Sequence, residues 1–449
     1  VSSASPLVGS MAGQLSPQQT QKPRLAAGIM RDKWDSESMA ATEAGEWSPL
    51  RSDSVASSPR VKTSSRFSSD SCLDDKQDEI LLPLASPHAH KASQRVAAST
   101  VTATCGGCFA WFFCKGSRKA CGNTYSFDTL QVIGLLGCGA FSTVTLVQGP
   151  ADGQTLALKT MSKGLILEHR MQEAVMREKL AMQRFQSPFV IRLVATFNTS
   201  QHLYFLMEAA LGGDLCSVYS RCGFHGSEAH ARFYVACVLR ALEHLHDRGV
   251  LYRDLKMENV VLDKRGYGKL CDLGMATFLS GPADRARTVC GTPGCMAPEV
   301  WEAGSGYSFA ADWWTLGVFM YELLIGEGPF AAPDAWQMQT KSRVGIQAAW
   351  FPGDCSWPGL VHGLCHCKPE ERLPMLDGGA HRVEMHSWYS KEAHFDWQAH
   401  WSQNMPAPHK PMVDGPRDLG NFCGSWLDRP ADAPYEDPGT GWDSNFEGV

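Results

Sequence analysis

Apolar and polar positions divide the chain near residue 125. Through residues 1–124 the apolar residues recur without a period, and Ser, Ala, Pro, Gln and Asp are common. Such a segment buries too little to offset its ordering entropy, so it is expected to be a disordered N-terminal tail. From Tyr125 the pattern becomes periodic. Leu130-Gln-Val-Ile-Gly-Leu-Leu alternates like a strand, Thr145-Leu146-Val147 reads as a second, and Leu156-Ala157-Leu158-Lys159 as a third that ends in a cation. A helical segment follows, with Glu178 inside Met176-Arg-Glu-Lys-Leu180. Leu203-Tyr-Phe-Leu-Met207-Glu208 has the composition of a buried strand. Residues 227–247 predict a long helix with Phe233, Val235, Val238, Leu239, Leu242 and Leu245 on one face, a core face. His244 and His246 flank that face and read as structural. Asp312-Trp313-Trp314 opens an apolar helix through Glu322. After His386-Ser-Trp-Tyr the helical period lapses, and Pro, Asp and Gly become frequent.

Composition adds limits. The 449 residues carry a formal net charge of −6, which gives no general attraction to nucleic acid. Sixteen cysteines follow no regular framework, and no signal peptide opens the chain, so reduced thiols in a cytoplasmic setting are expected. No apolar run reaches the roughly 18–20 residues of a spanning helix. The first residue is Val, which reads as a fragment or a processed product. Ser-Pro pairs at Ser5, Ser16, Ser48, Ser58 and Ser86 are either proline-directed phosphorylation sites or parts of a plain linker. Cys105-Gly-Gly-Cys108-Phe-Ala-Trp111-Phe112-Phe113-Cys114 and Cys121 leave three readings open. They are a four-thiolate zinc site, a membrane-surface contact helped by Lys115, Arg118 and Lys119, and an aromatic patch packed on the next domain.

The candidate chemistry centres on Tyr252-Arg253-Asp254-Leu255-Lys256-Met257-Glu258-Asn259, followed by Lys269-Leu-Cys-Asp272-Leu273-Gly274. Such a loop places Asp254 near a substrate hydroxyl while Asn259 and Asp272 face a metal ion. Phosphoryl transfer needs that division, because its catalysis is mostly positioning and charge neutralisation. Gly137-Cys-Gly139-Ala-Phe-Ser142 lies between two strands, where backbone N–H groups can approach phosphate oxygens; an ordinary hairpin turn is the competing reading. Lys159 and Glu178 are spaced for a strand-to-helix ion pair, although a single surface pair would be worth little.

Taken together, these motifs resemble the eukaryotic protein kinases. Tyr252, where most have His, is the form common in the AGC group. The resemblance covers residues 125–449. It is strongest to cGMP-dependent protein kinases and next to cAMP-dependent catalytic subunits, on Lys264-Arg-Gly-Tyr267, Met320-Tyr-Glu-Leu-Leu324 and the Gly441-Trp442-Asp443 end. It implies an α+β bilobal fold, with a β-rich small lobe to about Leu206 and a mainly helical large lobe. A kinase domain would span 125–388, and a C-terminal tail 389–449 would wrap it. That tail is read from Pro411-Met-Val-Asp-Gly-Pro and Asp418-Leu-Gly-Asn421-Phe422, with Trp442 and Phe446 docking on the small lobe.

The resemblance further implies ATP and magnesium as cofactors. Gly137, Gly139 and Ser142 would cover the phosphates. Val144, Ala157, Met207 and the backbones of Glu208 and Ala210 would enclose adenine. Lys159, held by Glu178, would reach the α- and β-phosphates. Asp254 would orient the attacking hydroxyl, Lys256 would steady the γ-phosphate, and Asn259 with Asp272 would hold the metal. Asp214, Glu258 and Glu322 would receive arginines before the target hydroxyl, and Thr292 would favour Ser or Thr. Thr288 matches an activation-loop phosphosite that would pair with Arg253. Asp312 would brace the catalytic loop, and Glu299 would pair with Arg372. Gly294 and Cys295 depart from the group's usual Glu-Tyr, and Leu273 keeps an apolar plug where Phe is usual. No cyclic-nucleotide-binding domain is visible in residues 1–124, which leaves three readings open: a missing regulatory domain, a separate regulatory subunit, or no response to cyclic nucleotides. The alternative is a pseudokinase scaffold, which would be expected to have lost part of the set Lys159, Asp254, Asn259 and Asp272.

Overall fold

Five antiparallel strands form the first layer of the computed structural model: β1 (Gln131–Cys138), β2 (Ser142–Gln148), β3 (Thr155–Ser162), β4 (Leu193–Asn198) and β5 (His202–Glu208), in the order β1-β2-β3-β5-β4. The structure describes residues 125–448 apart from 151–152, 303, 354 and 392–394. The N-terminal stretch 1–124, its Ser-Pro pairs and the Cys105–Cys121 segment lie outside the described residues. Between β3 and β4 come α1 (Lys163–Glu168) and α2 (Gln172–Gln183). β2 pairs as far as Ser142, beyond the three residues expected from the alternation, because Ser142 and Thr143 find partners in Met161 and Thr160.

Register decides what the sheet presents. Directly opposed residues of antiparallel strands share a face. Val144 opposes Lys159, Leu146 opposes Ala157, and Ala157 opposes Met207. Val144, Ala157, Lys159 and Met207 therefore stand on one face.

Beyond β5 the chain becomes mainly helical, with α3 (Leu215–Cys222), α4 (Glu228–His246), α5 (Pro298–Trp301), α6 (Ala310–Ile325), α7 (Ala335–Val344), α8 (Trp357–Leu364), α9 (His381–Glu384), α10 (Ser387–Ser390) and α11 (Trp397–Trp401). α3 starts where Asp214 accepts from Ser217 N at 2.8 Å, and it stops at Gly223, whose φ of +67° suits a residue without Cβ. α4 buries more than the predicted stripe. Tyr234, Ala236, Cys237 and Ala241 are also buried, because the helix is covered on several sides. Each fully buried Phe or Leu contributes about 1.5–3 kcal/mol. α6 begins two residues before Asp312 and runs to Gly326, which ends it at φ +96°.

Two small ribbons hold the loops between α4 and α5. β6 (Val250–Leu251) pairs with β9 (Thr277–Phe278), and β7 (Val260–Leu262) with β8 (Gly268–Leu270). Two links brace the large lobe. Arg372, fully buried, makes paired bonds of 2.6 and 2.8 Å to Glu299, as expected. His400 of α11 is fully buried and stacks on Phe189 at 5.5 Å, so a helix forms where the sequence showed no helical period. Among the described residues no helix is long and apolar enough to cross a membrane.

The C-terminal stretch lies along the small lobe. Phe446 is fully buried, with its ring edge-on to Phe205 at 5.1 Å and under the Lys179 ammonium at 5.6 Å. Lys179 donates to Asn445 O at 2.6 Å, Thr196 to Phe446 O at 2.6 Å, and Lys163 pairs with Asp443 at 2.5 Å. Trp442 is partly buried against the same core. Docking of Phe446 on the small lobe, expected from the resemblance, is what the structure displays.

Candidate active site

The β6–β7 connection carries the catalytic stretch, and the β8–β9 connection carries Asp272. Both loops hold a non-glycine residue at positive φ, Arg253 at +76° and Asp272 at +53°. Such backbone costs of order 1–3 kcal/mol and persists only where surroundings enforce it. Asp312, fully buried, does so for the first loop. It accepts from Tyr252 N and Arg253 N, each at 2.8 Å, and sits 2.7 Å from His246 Nε2. The expected bracing by Asp312 and the structural reading of His246 are thus one contact. Tyr252 adds a bond from its hydroxyl to Cys271 O at 2.7 Å, tying the two loops together.

Asp254 sits at the centre. Asn259 Nδ2 donates to its backbone oxygen at 2.8 Å and to its carboxylate at 3.0 Å. Thr292 Oγ1 donates to its other carboxylate oxygen at 2.7 Å, and Lys256 Nζ lies 2.9 Å from the carboxylate oxygen that Asn259 contacts. Lys256 also donates to Thr292 at 3.3 Å. Burial pulls the Lys256 pKa down, but the charge and hydrogen bond of Asp254, with the charges of Glu258 and Asp272, together outweigh it and hold the amine above its ordinary range.

Across the cleft, Lys159 bonds Glu178 at 2.8 Å and Asp272 at 3.2 Å. Burial opposes its charge, and the two carboxylates more than compensate, so Lys159 stays protonated. The same ammonium holds the Asp272 carboxyl below the usual carboxylate range, helped by the Gly274 N–H at 3.2 Å. Leu273 is fully buried, as an apolar plug requires.

Asp272 and Asn259 supply oxygen donors, the kind that suits magnesium rather than zinc or copper. Both amide N–H contacts of Asn259 go to Asp254, which leaves its amide oxygen for a cation. No group of three or more His, Cys, Asp or Glu able to hold a metal occurs among the described residues. A cation here would therefore draw its remaining ligands from phosphate oxygens and water, the usual mode for magnesium at nucleotides.

The β1–β2 turn is closed by Gly139 N donating to Ser142 O at 2.8 Å, and a Cβ built on Gly137 would meet nothing within 4 Å. At the hinge the Glu208 N–H is spent on Arg192 O at 3.0 Å, so only its carbonyl remains for a ligand, together with Ala210. The Glu208 carboxylate pairs with Lys269 at 2.9 Å. Asp214 spends one oxygen capping α3. Glu322 lies near Glu258, and burial together with the Glu258 charge raises its carboxyl to about 7. No hydrogen bond or ion pair of the Glu322 carboxylate occurs among the described residues. Thr288 is exposed.

Sequence reasoning missed Tyr307 altogether, and placed Asn421 in the wrapping tail without its contacts. Tyr307, almost fully buried, accepts from Arg253 at 3.2 Å and donates to Thr288 O at 2.6 Å. Asn421 donates to Leu211 O at 3.0 Å and accepts from Arg221 at 3.1 Å, pinning the C-terminal stretch to the hinge. Gly213 permits this approach: its φ is +82°, and a Cβ there would stand 2.9 Å from Asn421 O. A lone Tyr and a lone Asn carry no spacing signal.

Residues 130–388 match the protein kinase domain family. The chain belongs to the protein kinase domain family. That family uses ATP and acts on proteins. A cGMP-dependent protein kinase of Drosophila melanogaster, isozyme 2 forms cD5/T2, is 39% identical over 322 residues, 71% of this chain and 33% of the relative. The cGMP-dependent protein kinase 2 of Rattus norvegicus is 36% identical over 330 residues, 72% of this chain and 42% of the relative. A cGMP-dependent protein kinase of Caenorhabditis elegans, egl-4, is 36% identical over 325 residues, 72% of this chain and 40% of the relative. The kinase chain thus spans between a third and about two fifths of the length of these relatives. Its AGC character, expected from Tyr252, agrees with that company.

Proposed function

We propose that the chain is a serine/threonine protein kinase that passes the γ-phosphate of ATP to protein hydroxyls at arginine-rich sites. One observation carries this reading: Lys159, Asp254, Asn259 and Asp272, drawn from three separate segments, converge on one cleft with their charges paired. A scaffold without turnover has no such need.

On this reading the face bearing Val144, Ala157 and Met207 takes adenine, with the Glu208 carbonyl and the Ala210 N–H as its polar edge. Gly137, Gly139 and Ser142 close over the phosphates, and Lys159, aimed by Glu178, meets them from the opposite side. Magnesium, when bound by Asn259 and Asp272, neutralises phosphate charge and fixes phosphate orientation. Asp254, held by Asn259 and Thr292, accepts the proton of the target hydroxyl. Lys256 remains cationic beside it and balances charge on the moving phosphoryl group. Thr292 completes the contact that favours Ser or Thr. Asp214, Glu258 and Glu322 give guanidinium groups a partner. Phosphate on Thr288 would add nearly two negative charges near Arg253.

The kinase domain at 125–388 and the tail at 389–449 remain the proposed division. A cyclic-nucleotide-binding regulator, on a separate subunit or another part of the protein, is proposed from the relatives' names. A cytoplasmic setting is proposed from the thiols, since all described cysteines are free. The test is phosphorylation of an Arg-Arg-x-Ser peptide. Asp272→Ala should bring transfer below detection while the protein stays folded; retained transfer overturns the reading.

A further inference from the structure

Where the C-terminal stretch crosses the β1–β2 turn, it sets the Cys138 thiol against a segment that carries a second cysteine, Cys423. Cys138 stands between Gly137 and Gly139, and its Sγ lies 3.8 Å from the Ser425 carbonyl oxygen. Cys423 sits two residues before that carbonyl, and its side chain is exposed. Gly424 lies between Cys423 and Ser425. A Cβ built on it would stand 3.4 Å from Gly137 Cα and 3.2 Å from Leu135 Cδ2. The two backbones are therefore in contact one residue away from each thiol. Consecutive Cα atoms are about 3.8 Å apart, and a disulfide needs a Cα separation of about 4.4–6.8 Å. Glycines at 137, 139 and 424 supply the backbone play that closes the remaining distance.

We propose that Cys138 and Cys423 form a reversible disulfide when hydrogen peroxide is present, stapling the C-terminal stretch to the glycine turn. The Cys423 thiol attacks the peroxide, the O–O bond breaks, and a sulfenic acid and one water result. Cys138 Sγ then attacks that sulfur. Its proton leaves with the departing hydroxide as a second water, and the S–S bond forms. Two thiols lose two electrons and the peroxide gains them. A thiol reductant reverses the step.

The consequence follows from Asn421, two residues upstream of Cys423. Its amide donates to Leu211 O at 3.0 Å and to Met412 O at 2.8 Å, so that part of the stretch is fixed to the hinge. Closing the disulfide ties the glycine turn to the hinge through a two-residue span. If the cleft takes ATP as proposed above, the turn must lift for ADP to leave, and the staple holds it down.

The full chain, treated with hydrogen peroxide, should yield a Cys138–Cys423 cross-linked peptide by mass spectrometry. Release of a fluorescent ADP analogue should slow about tenfold and recover with dithiothreitol. Cys423→Ser should keep its basal peptide phosphorylation and lose the peroxide response. Three results would overturn the staple: no Cys138–Cys423 peptide, cross-linking without slower release, or equal slowing in Cys423→Ser. Cross-linking and nucleotide release are read without turnover. A reduced enzyme that binds the analogue but never phosphorylates peptide would count against the kinase reading and leave the staple standing.

Discussion

Glu322 is the residue whose surroundings set the sharpest condition on substrate. Burial and the nearby Glu258 charge raise its carboxyl to about 7, where most surface carboxylates are ionised. Below that pH the group holds a proton, and an arginine would have to displace it. Above that pH the charge is already present. The KM for an Arg-Arg-x-Ser peptide should therefore fall about tenfold between pH 6 and pH 8, with kcat less affected. Glu322→Gln should raise KM and flatten the profile, and steady-state kinetics on both forms checks it. Residue roles of this kind were legible where they sit in short, fixed spacings. Asp254, Lys256 and Asn259 fall within six consecutive positions of one loop, and Asp272 follows just after the next ribbon. Glu322 was legible only by resemblance. Its raised pKa was not, because it depends on Glu258, which arrives from a distant loop.

At the scale of elements, the segment around Thr288 is held before any phosphate is added. Tyr307 joins the Thr288 carbonyl to Arg253, and Ala286 pairs with Tyr307 through backbone bonds of 2.9 Å in both directions. Arg253 also donates to Met275 O at 2.5 Å. A neutral hydrogen bond contributes about 1 kcal/mol. Losing the two made by the Tyr307 hydroxyl should lower kcat of the unphosphorylated enzyme roughly tenfold. Tyr307→Phe, assayed with and without phosphate on Thr288, measures this, and phosphorylation should restore most of the loss. Strands and helices with clear periods were visible in the sequence, α4 among them. Its full burial was not, since Ala236, Cys237 and Ala241 look neutral in a helical pattern until several neighbours cover them. α11 was missed because a five-residue helix presents barely more than one turn, too little for a period.

Across the whole molecule, the C-terminal stretch binds the hinge through Asn421 and the small lobe through Phe446. Truncating a buried Phe costs about 3–5 kcal/mol, and here that cost falls on docking of the stretch. Phe446→Ala should expose residues 430–448 to protease. It should also raise amide exchange in β4 and α2, where Thr196 and Lys179 lose their partners, and lower kcat through looser placement of Glu178. Hydrogen exchange read by mass spectrometry tests this. Aromatic residues at the end of the chain hinted at docking. The partners Lys163, Lys179, Thr196 and Asn198, the last donating to Asp443 O at 2.9 Å, gave no hint, because each lies more than two hundred residues away.

The bond between Lys159 and Asp272 has a consequence for the interval between turnovers. When product departs and takes its counter-ion along, the half-exposed carboxylate still has a cation at its side. A tethered ammonium already stands beside it, and the exchange swaps one positive neighbour for another. The cleft can empty and refill while Asp272 keeps its position, and the geometry awaiting the next nucleotide is held in place by the protein's own charge.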